Sequence, residues 1–191
     1  MTKILLVAIT LLTLTACRED EATNLPAPVA MTAEAVGHYC QMNILEHPGP
    51  KAQIHLDGMP HPLFFSQVRD AVAYQRMPEQ SHAIRVIYVS DMSQVTDWNV
   101  ISTDNWIPAI SAHYVVGSSR VGGMGAAELV PFSNPDDATR FAKLHGGQVM
   151  SLDDIADVAV LSPVAINPVA ISEDDDDYRN RLKQLRQGGE N

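Results

Sequence analysis

Cysteine is nearly absent from this chain: of 191 residues, only Cys17 and Cys40 carry a thiol. Cys17 closes Leu14-Thr15-Ala16-Cys17 behind an apolar run, the pattern at which a bacterial lipoprotein signal is cut and acylated. An acylated Cys17 leaves Cys40 with no partner in the same chain, which rules out a disulfide framework. Basic residues are scarce as well, 13 Lys and Arg against 23 Asp and Glu. That balance argues against nucleic acid as a partner and against an electrostatic grip on anionic lipid. No hydrophobic run is long enough to span a bilayer; Ile4 to Leu12 has only the length of a signal core. Also missing are a Ser-His-Asp spacing, a paired-carboxylate signature, a Walker loop and a dinucleotide fingerprint. Gly122-Gly123-Met124-Gly125 neither follows a nucleotide-binding pattern nor opens a clear helix.

What is present starts with export. Lys3 precedes the apolar core, and cleavage before Cys17 makes residues 1–16 a signal peptide and attaches the chain to a membrane through lipid on Cys17. Arg18 stands where an inner-membrane retention signal usually shows Asp, so a periplasm-facing position on the outer membrane is favoured over the inner. Residues 17–35 read as a lipidated tether, polar and proline-bearing. At the other end, residues 162–191 read as a tail, with the acidic run Glu173 to Asp177 followed by a basic stretch from Arg179 to Arg186.

Between them, residues 36–161 read as an α+β domain of two similar β-β-α-β halves, about 36–90 and 111–156. In the first, Ala52 to Asp57 alternates like a strand, Leu63-Phe64-Phe65 begins a second, Ser66 caps a helix through Met77, and Ile84 to Val89 is a β-branched strand. In the second, Ala112 to Val116 and Glu128 to Phe132 are strands, Ser133-Asn134-Pro135 caps a helix over 136–144, and Gln148 to Leu152 closes the unit. The halves align at a constant offset, with Phe65-Ser66 on Phe132-Ser133, Asp70-Ala71 on Asp137-Ala138, and Tyr74 on Phe141. Residues 91–110 read as a connector carrying Trp98 and Trp106.

An unpaired cysteine in a disulfide-permissive compartment calls for metal, redox chemistry or an intermolecular bond. Cys40 lies in His38-Tyr39-Cys40-Gln41-Met42, two residues from a thioether. Thiolate and thioether together are what the soft ion Cu(I) selects. If the segment is extended, both side chains point the same way and reach one ion. Thiol catalysis by Cys40, activated by His38 or another base, is one rival reading. A non-metal interaction module with Cys40 as an inert small hydrophobe is another.

Tyr39-Cys40-Gln41-Met42-Asn43-Ile44, with Gly122-Gly123-Met124-Gly125 leading into Glu128-Leu129-Val130-Pro131-Phe132, Ala138-Thr139-Arg140-Phe141 leading into His145-Gly146-Gly147, and the cysteine at 17, resembles the NosL family. The resemblance implies a lipid-anchored Cu(I) carrier that serves nitrous oxide reductase or its maturation complex. It also implies the repeated β-β-α-β fold, and it covers roughly residues 36–156. By position it makes Cys40 and Met42 the Cys-x-Met ligands and Met124 a further thioether ligand. A nitrogen ligand transfers less directly; His38 and His145 are the candidates among seven histidines. Met59 is a further thioether in a turn, while Met77, Met92 and Met150 sit where packing accounts for them.

Overall fold

The computed structural model describes residues 25–78 and 80–164; Cys17, the signal and the charged tail lie outside the described residues. Strands β1 (Ala52–Leu56), β2 (Leu63–Phe65), β3 (Ile84–Ser90) and β4 (Trp106–Pro108) form one antiparallel sheet in the order β2-β1-β3-β4. Strands β5 (His113–Val116), β6 (Val130–Phe132) and β7 (Gln148–Met150) form a second, ordered β6-β5-β7. Helix α1 (Val68–Arg76) links β2 to β3, and α2 (Pro135–His145) links β6 to β7. Each half thus puts its first strand in the middle, flanked by the second and by the strand after the helix. The α+β class expected from the sequence is the class observed. A short α3 (Asp157–Leu161), unanticipated from the sequence, packs back on α1.

Strand β1 shows why the first sheet sits deep. All five of its residues are buried. Ala52, Ile54 and Leu56 lie on one face and share a core with Ala71 and Val72 of α1. Gln53 and His55 fall on the other face by the strand period, where they need polar cover. The chain before the domain supplies it. Gln53 accepts from the Val29 amide at 2.8 Å and donates to the Val29 carbonyl at 2.9 Å. His55 bonds the same Gln53 side chain, and Tyr88 donates to the Pro26 carbonyl. Met31 and Ala35 bury beside Ile44. Residues 25–35, expected as tether, are therefore a strap over the sheet. Their composition carries no periodicity because the strap is held by backbone groups, not by a repeated apolar face.

Several boundaries also differ from expectation. The expected cap Ser66 does not cap α1; Gln67 occupies the cap position without a side-chain bond. Glu128, from the other half, accepts from the Arg69 amide instead. Helix α1 stops at Arg76, just before Met77-Pro78. β6 begins at Val130, later than expected, because the Glu128 amide donates to the Arg120 carbonyl of the preceding loop rather than to β5. The connector contributes β4, with Ile107 opposite Val89. For α2 the expected cap holds: the Asn134 side chain accepts from the Asp136 amide with Pro135 in the first turn. The two halves share one core, in which Tyr114, Leu129 and Leu152 join residues of the first sheet. Asp91 ties them further, accepting from the Ser133 amide at 2.9 Å and from its hydroxyl at 2.5 Å.

Candidate metal centre

The site is organised around Ser66-Gln67, where β2 hands over to α1. On one side, the 37–42 turn is added to the free edge of β2: Gly37 bridges Phe64, and the His38 amide donates to the Phe64 carbonyl at 2.6 Å. The turn closes through the Gly37 amide on the Met42 carbonyl at 3.0 Å and the Gln41 amide on the Gly37 carbonyl at 2.9 Å. Gln41 adopts φ 54, the left-handed region, and its side chain donates to the His38 carbonyl. The sulfur of Cys40 folds back over Gly37. A Cβ on residue 37 would stand 2.5 Å from that sulfur and 3.8 Å from the Ser66 amide nitrogen, so only glycine leaves Cys40 this place.

On the other side of Ser66-Gln67 lies the glycine-rich loop. Val121 bridges Ala127, and the Gln67 side-chain oxygen accepts from the Met124 amide at 3.1 Å and the Ala126 amide at 3.4 Å. A Cβ on Gly123 would stand 2.6 Å from the His47 Cβ and 3.0 Å from the Ser66 carbonyl oxygen. That close approach lets His47 Nδ1 meet the Gly123 carbonyl at 3.1 Å. A carbonyl only accepts, so Nδ1 carries the proton and Nε2 presents a lone pair. His47 Nε2 is buried and has no hydrogen-bond partner. A backbone carbonyl that sets the tautomer of a histidine with a free Nε2 is the usual outer support of a metal-binding imidazole.

Among the described residues, no three of His, Cys, Asp and Glu gather in a way that would hold an ion. Thioether donors of the kind present on these loops favour a soft ion. The donors on offer are one thiol, the thioethers of Met42 and Met124, and one imidazole nitrogen.

A family model described as NosL matches residues 28–160, more than half of the chain. The chain belongs to the NosL family. It is 55% identical over 184 residues to the copper-binding lipoprotein NosL of Achromobacter cycloclastes, covering 96% of this chain and 94% of that protein. It is 34% identical over 154 residues to the copper-binding lipoprotein NosL of Stutzerimonas stutzeri, covering 80% of this chain and 78% of that protein. The crystal structure of the copper chaperone NosL from Shewanella denitrificans matches with a TM-score of 0.65 at 32% identity, over 70% of this chain and 98% of that one. These relatives are named for copper binding or copper chaperoning and not for catalysis, which weighs against the thiol-enzyme reading.

Within this NosL fold the expected ligands are distributed as follows. Cys40 is partly exposed, Met42 is 43% exposed and Met124 44% exposed, each on a turn rather than in the core. The extended arrangement expected for Cys40 and Met42 is replaced by the turn, with Cys40 Sγ 4.0 Å from the Met42 carbonyl oxygen. A left-handed Gln41 is what reverses the chain there. His38 has its ring among Phe65, Tyr74 and Tyr39 at 5.3 to 5.6 Å. His145 ends α2 with its ring 4.5 Å from Phe141, and its carbonyl accepts from the Ser119 amide. None of these contacts joins His145 to the Cys40 turn or the Met124 loop. Met59 lies in the turn after β1, and Met92 is in the core. Sequence reasoning passed over His47; its signal was Pro-Gly immediately after it, which places a histidine on a loop close to the turn.

Two buried titratable groups lie near the site. Lys51 donates to the carbonyls of Pro48 at 3.0 Å and Gly49 at 2.6 Å. Burial lowers its pKa to about 8, opposed by the charges of Glu128 and Cys40. Glu128 receives the amides of Arg69 and Leu129 on one oxygen, and its other oxygen has no partner. Burial raises its pKa to about 8, against the pull of those amides. Its free oxygen and the Gln67 side-chain oxygen both crowd the space that a side chain on Gly122 would fill.

Proposed function

We propose that this chain is a lipid-anchored Cu(I) carrier that holds one ion between the Cys40 turn and the Met124 loop. Carrying the proposal is the approach of both loops to Ser66-Gln67, with the unpartnered Nε2 of His47 on a ring held against Gly123 of the second loop. Cys40 supplies the anionic thiolate, which neutralises the single charge of Cu(I), and Met42 and Met124 supply neutral thioethers. His47 is assigned the nitrogen position in preference to His38 and His145, because its ring is already oriented by a carbonyl and its Nε2 is free. Both thioethers are substantially exposed, so an incoming ligand can reach the ion while it is still held. Exchange of that kind moves copper without releasing it to solvent.

Residues 1–16 act as the signal and Cys17 as the lipid attachment point, placing the carrier on the periplasmic side with the outer membrane favoured. The recipient is nitrous oxide reductase or its maturation complex, the assignment the family resemblance suggests. The test is anaerobic titration of the reduced chain from residue 18 onward with Cu(I) against a competing chelator. One ion bound tightly by the wild type and lost in Cys40→Ser supports the carrier. Undiminished binding by Cys40→Ser, or none by the wild type, refutes it.

A further inference from the structure

The loops that carry His47 and Met124 belong to opposite halves of the fold, and one residue of the connector between the halves touches both. The Trp98 carbonyl accepts from the Gly49 amide at 2.8 Å, and the Trp98 indole Nε1 donates to the Val121 carbonyl at 3.2 Å. Gly49 is buried, and a Cβ there would stand 2.9 Å from the indole. The ring therefore lies directly against the backbone two residues after His47. Val121 opens the glycine-rich loop through its bridge to Ala127.

The indole is held in its turn. It stacks on Phe141 of α2 with ring centroids 6.3 Å apart, and the Arg120 guanidinium lies 5.3 Å over it. Phe141 packs on the second core, with Phe132 and Ala138. Lys51 braces the same His47 loop, its Nζ donating to the carbonyls of Pro48 and Gly49. Pro48 and Pro50 restrict the backbone on either side of Gly49. A loop fastened in this way has little freedom to swing its histidine away from the Gly123 carbonyl, which His47 Nδ1 meets at 3.1 Å.

We propose that Trp98 is a positioning residue of the candidate metal centre: it holds the His47 loop against the glycine-rich loop and so keeps the His47 imidazole on the Gly123 carbonyl. An indole supplies, in one rigid side chain, a flat face for the first loop and a hydrogen-bond donor for the second. Fixing a ligand before its ion arrives removes an ordering cost from binding. The consequence for copper affinity rests on the carrier reading above. The consequence for the imidazole belongs to the metal-free protein and is read without copper.

The test follows the His47 ring nitrogens by heteronuclear NMR in the labelled, metal-free mature chain, under alkaline conditions where an imidazole is neutral. The wild type should show one tautomer with the proton on Nδ1, as the bond to the Gly123 carbonyl requires. Trp98→Phe keeps a ring for Gly49 and Phe141 but lacks the N–H for Val121, and should show both tautomers; Trp98→Ala should show the mixture more fully. In a Cu(I) competition, Trp98→Phe should bind about three- to tenfold more weakly than the wild type, yet change affinity less than about twofold in the His47→Ala background. Unchanged His47 ring signals in both Trp98 variants would overturn the proposal, as would an equal Trp98→Phe loss in the two backgrounds. A wild type that binds no Cu(I) would sink the carrier reading alone, because the ring signals still decide the role of Trp98.

Discussion

Glu128→Gln tests whether the seam beneath the site works as its geometry implies. The carboxyl is fully buried, caps α1 through the Arg69 amide, and leaves one oxygen without a partner. Glutamine keeps an acceptor for the Arg69 and Leu129 amides and places an amide group beside the Gln67 oxygen. The variant therefore differs from wild type chiefly in lacking an ionisation. In the unfolded chain Glu128 ionises near 4.5, in the folded chain near 8. Across that interval the folded state holds a proton the unfolded state has lost, so wild-type stability falls as pH rises, by about 1.4 kcal/mol per pH unit. Lys51 contributes no slope there: its folded value is lowered to about 8, so it is charged in both states at lower pH. Urea unfolding followed by the fluorescence of Trp98 and Trp106 at pH 5, 6 and 7 measures the difference. The stability of Glu128→Gln relative to wild type should rise by roughly 2 to 3 kcal/mol between pH 5 and pH 7. A difference that stays constant with pH would refute the buried, protonated carboxyl.

Three further expectations follow from the same contacts. Gly37→Ala puts a methyl 2.5 Å from the Cys40 sulfur and should weaken Cu(I) binding at least about tenfold in a chelator competition while the far-UV circular dichroism is kept. His47→Ala should lower Cu(I) affinity and remove the nitrogen contribution from the copper X-ray absorption spectrum, whereas His145→Ala should leave both unchanged. Gln53→Ala removes the side chain that binds both backbone groups of Val29 and should cost about 1 to 3 kcal/mol in urea unfolding, with faster proteolysis within 25–35.

Much of the architecture was legible because it is local. Strands β1 and β3 announced themselves by alternation and β-branching, and α2 by Asn134-Pro135 at its start and Gly146-Gly147 at its end. The soft-ligand reading of Cys40 and Met42 rests on residue type and spacing, which chemistry interprets without coordinates. Capping of α1 was misplaced for the opposite reason: the carboxyl that caps it comes from Glu128, in the other half. His47 was invisible for a similar reason. Its significance depends on the carbonyl of Gly123, which only folding brings to its ring.

The sequence by itself determined the scarcity of thiols, the α+β class and the pair of loops that carry soft donors. These follow from composition, period and motif, properties of neighbouring residues. Only the tertiary structure decided that the Cys40 turn and the Met124 loop both approach Ser66-Gln67, that residues 25–35 strap the first sheet, and that His47 holds an unpartnered nitrogen beside Gly123. The physical reason is that each of these depends on a hydrogen bond or a close backbone approach between segments far apart in the chain. Side-chain periodicity records which face is buried, but not which distant group will cover it.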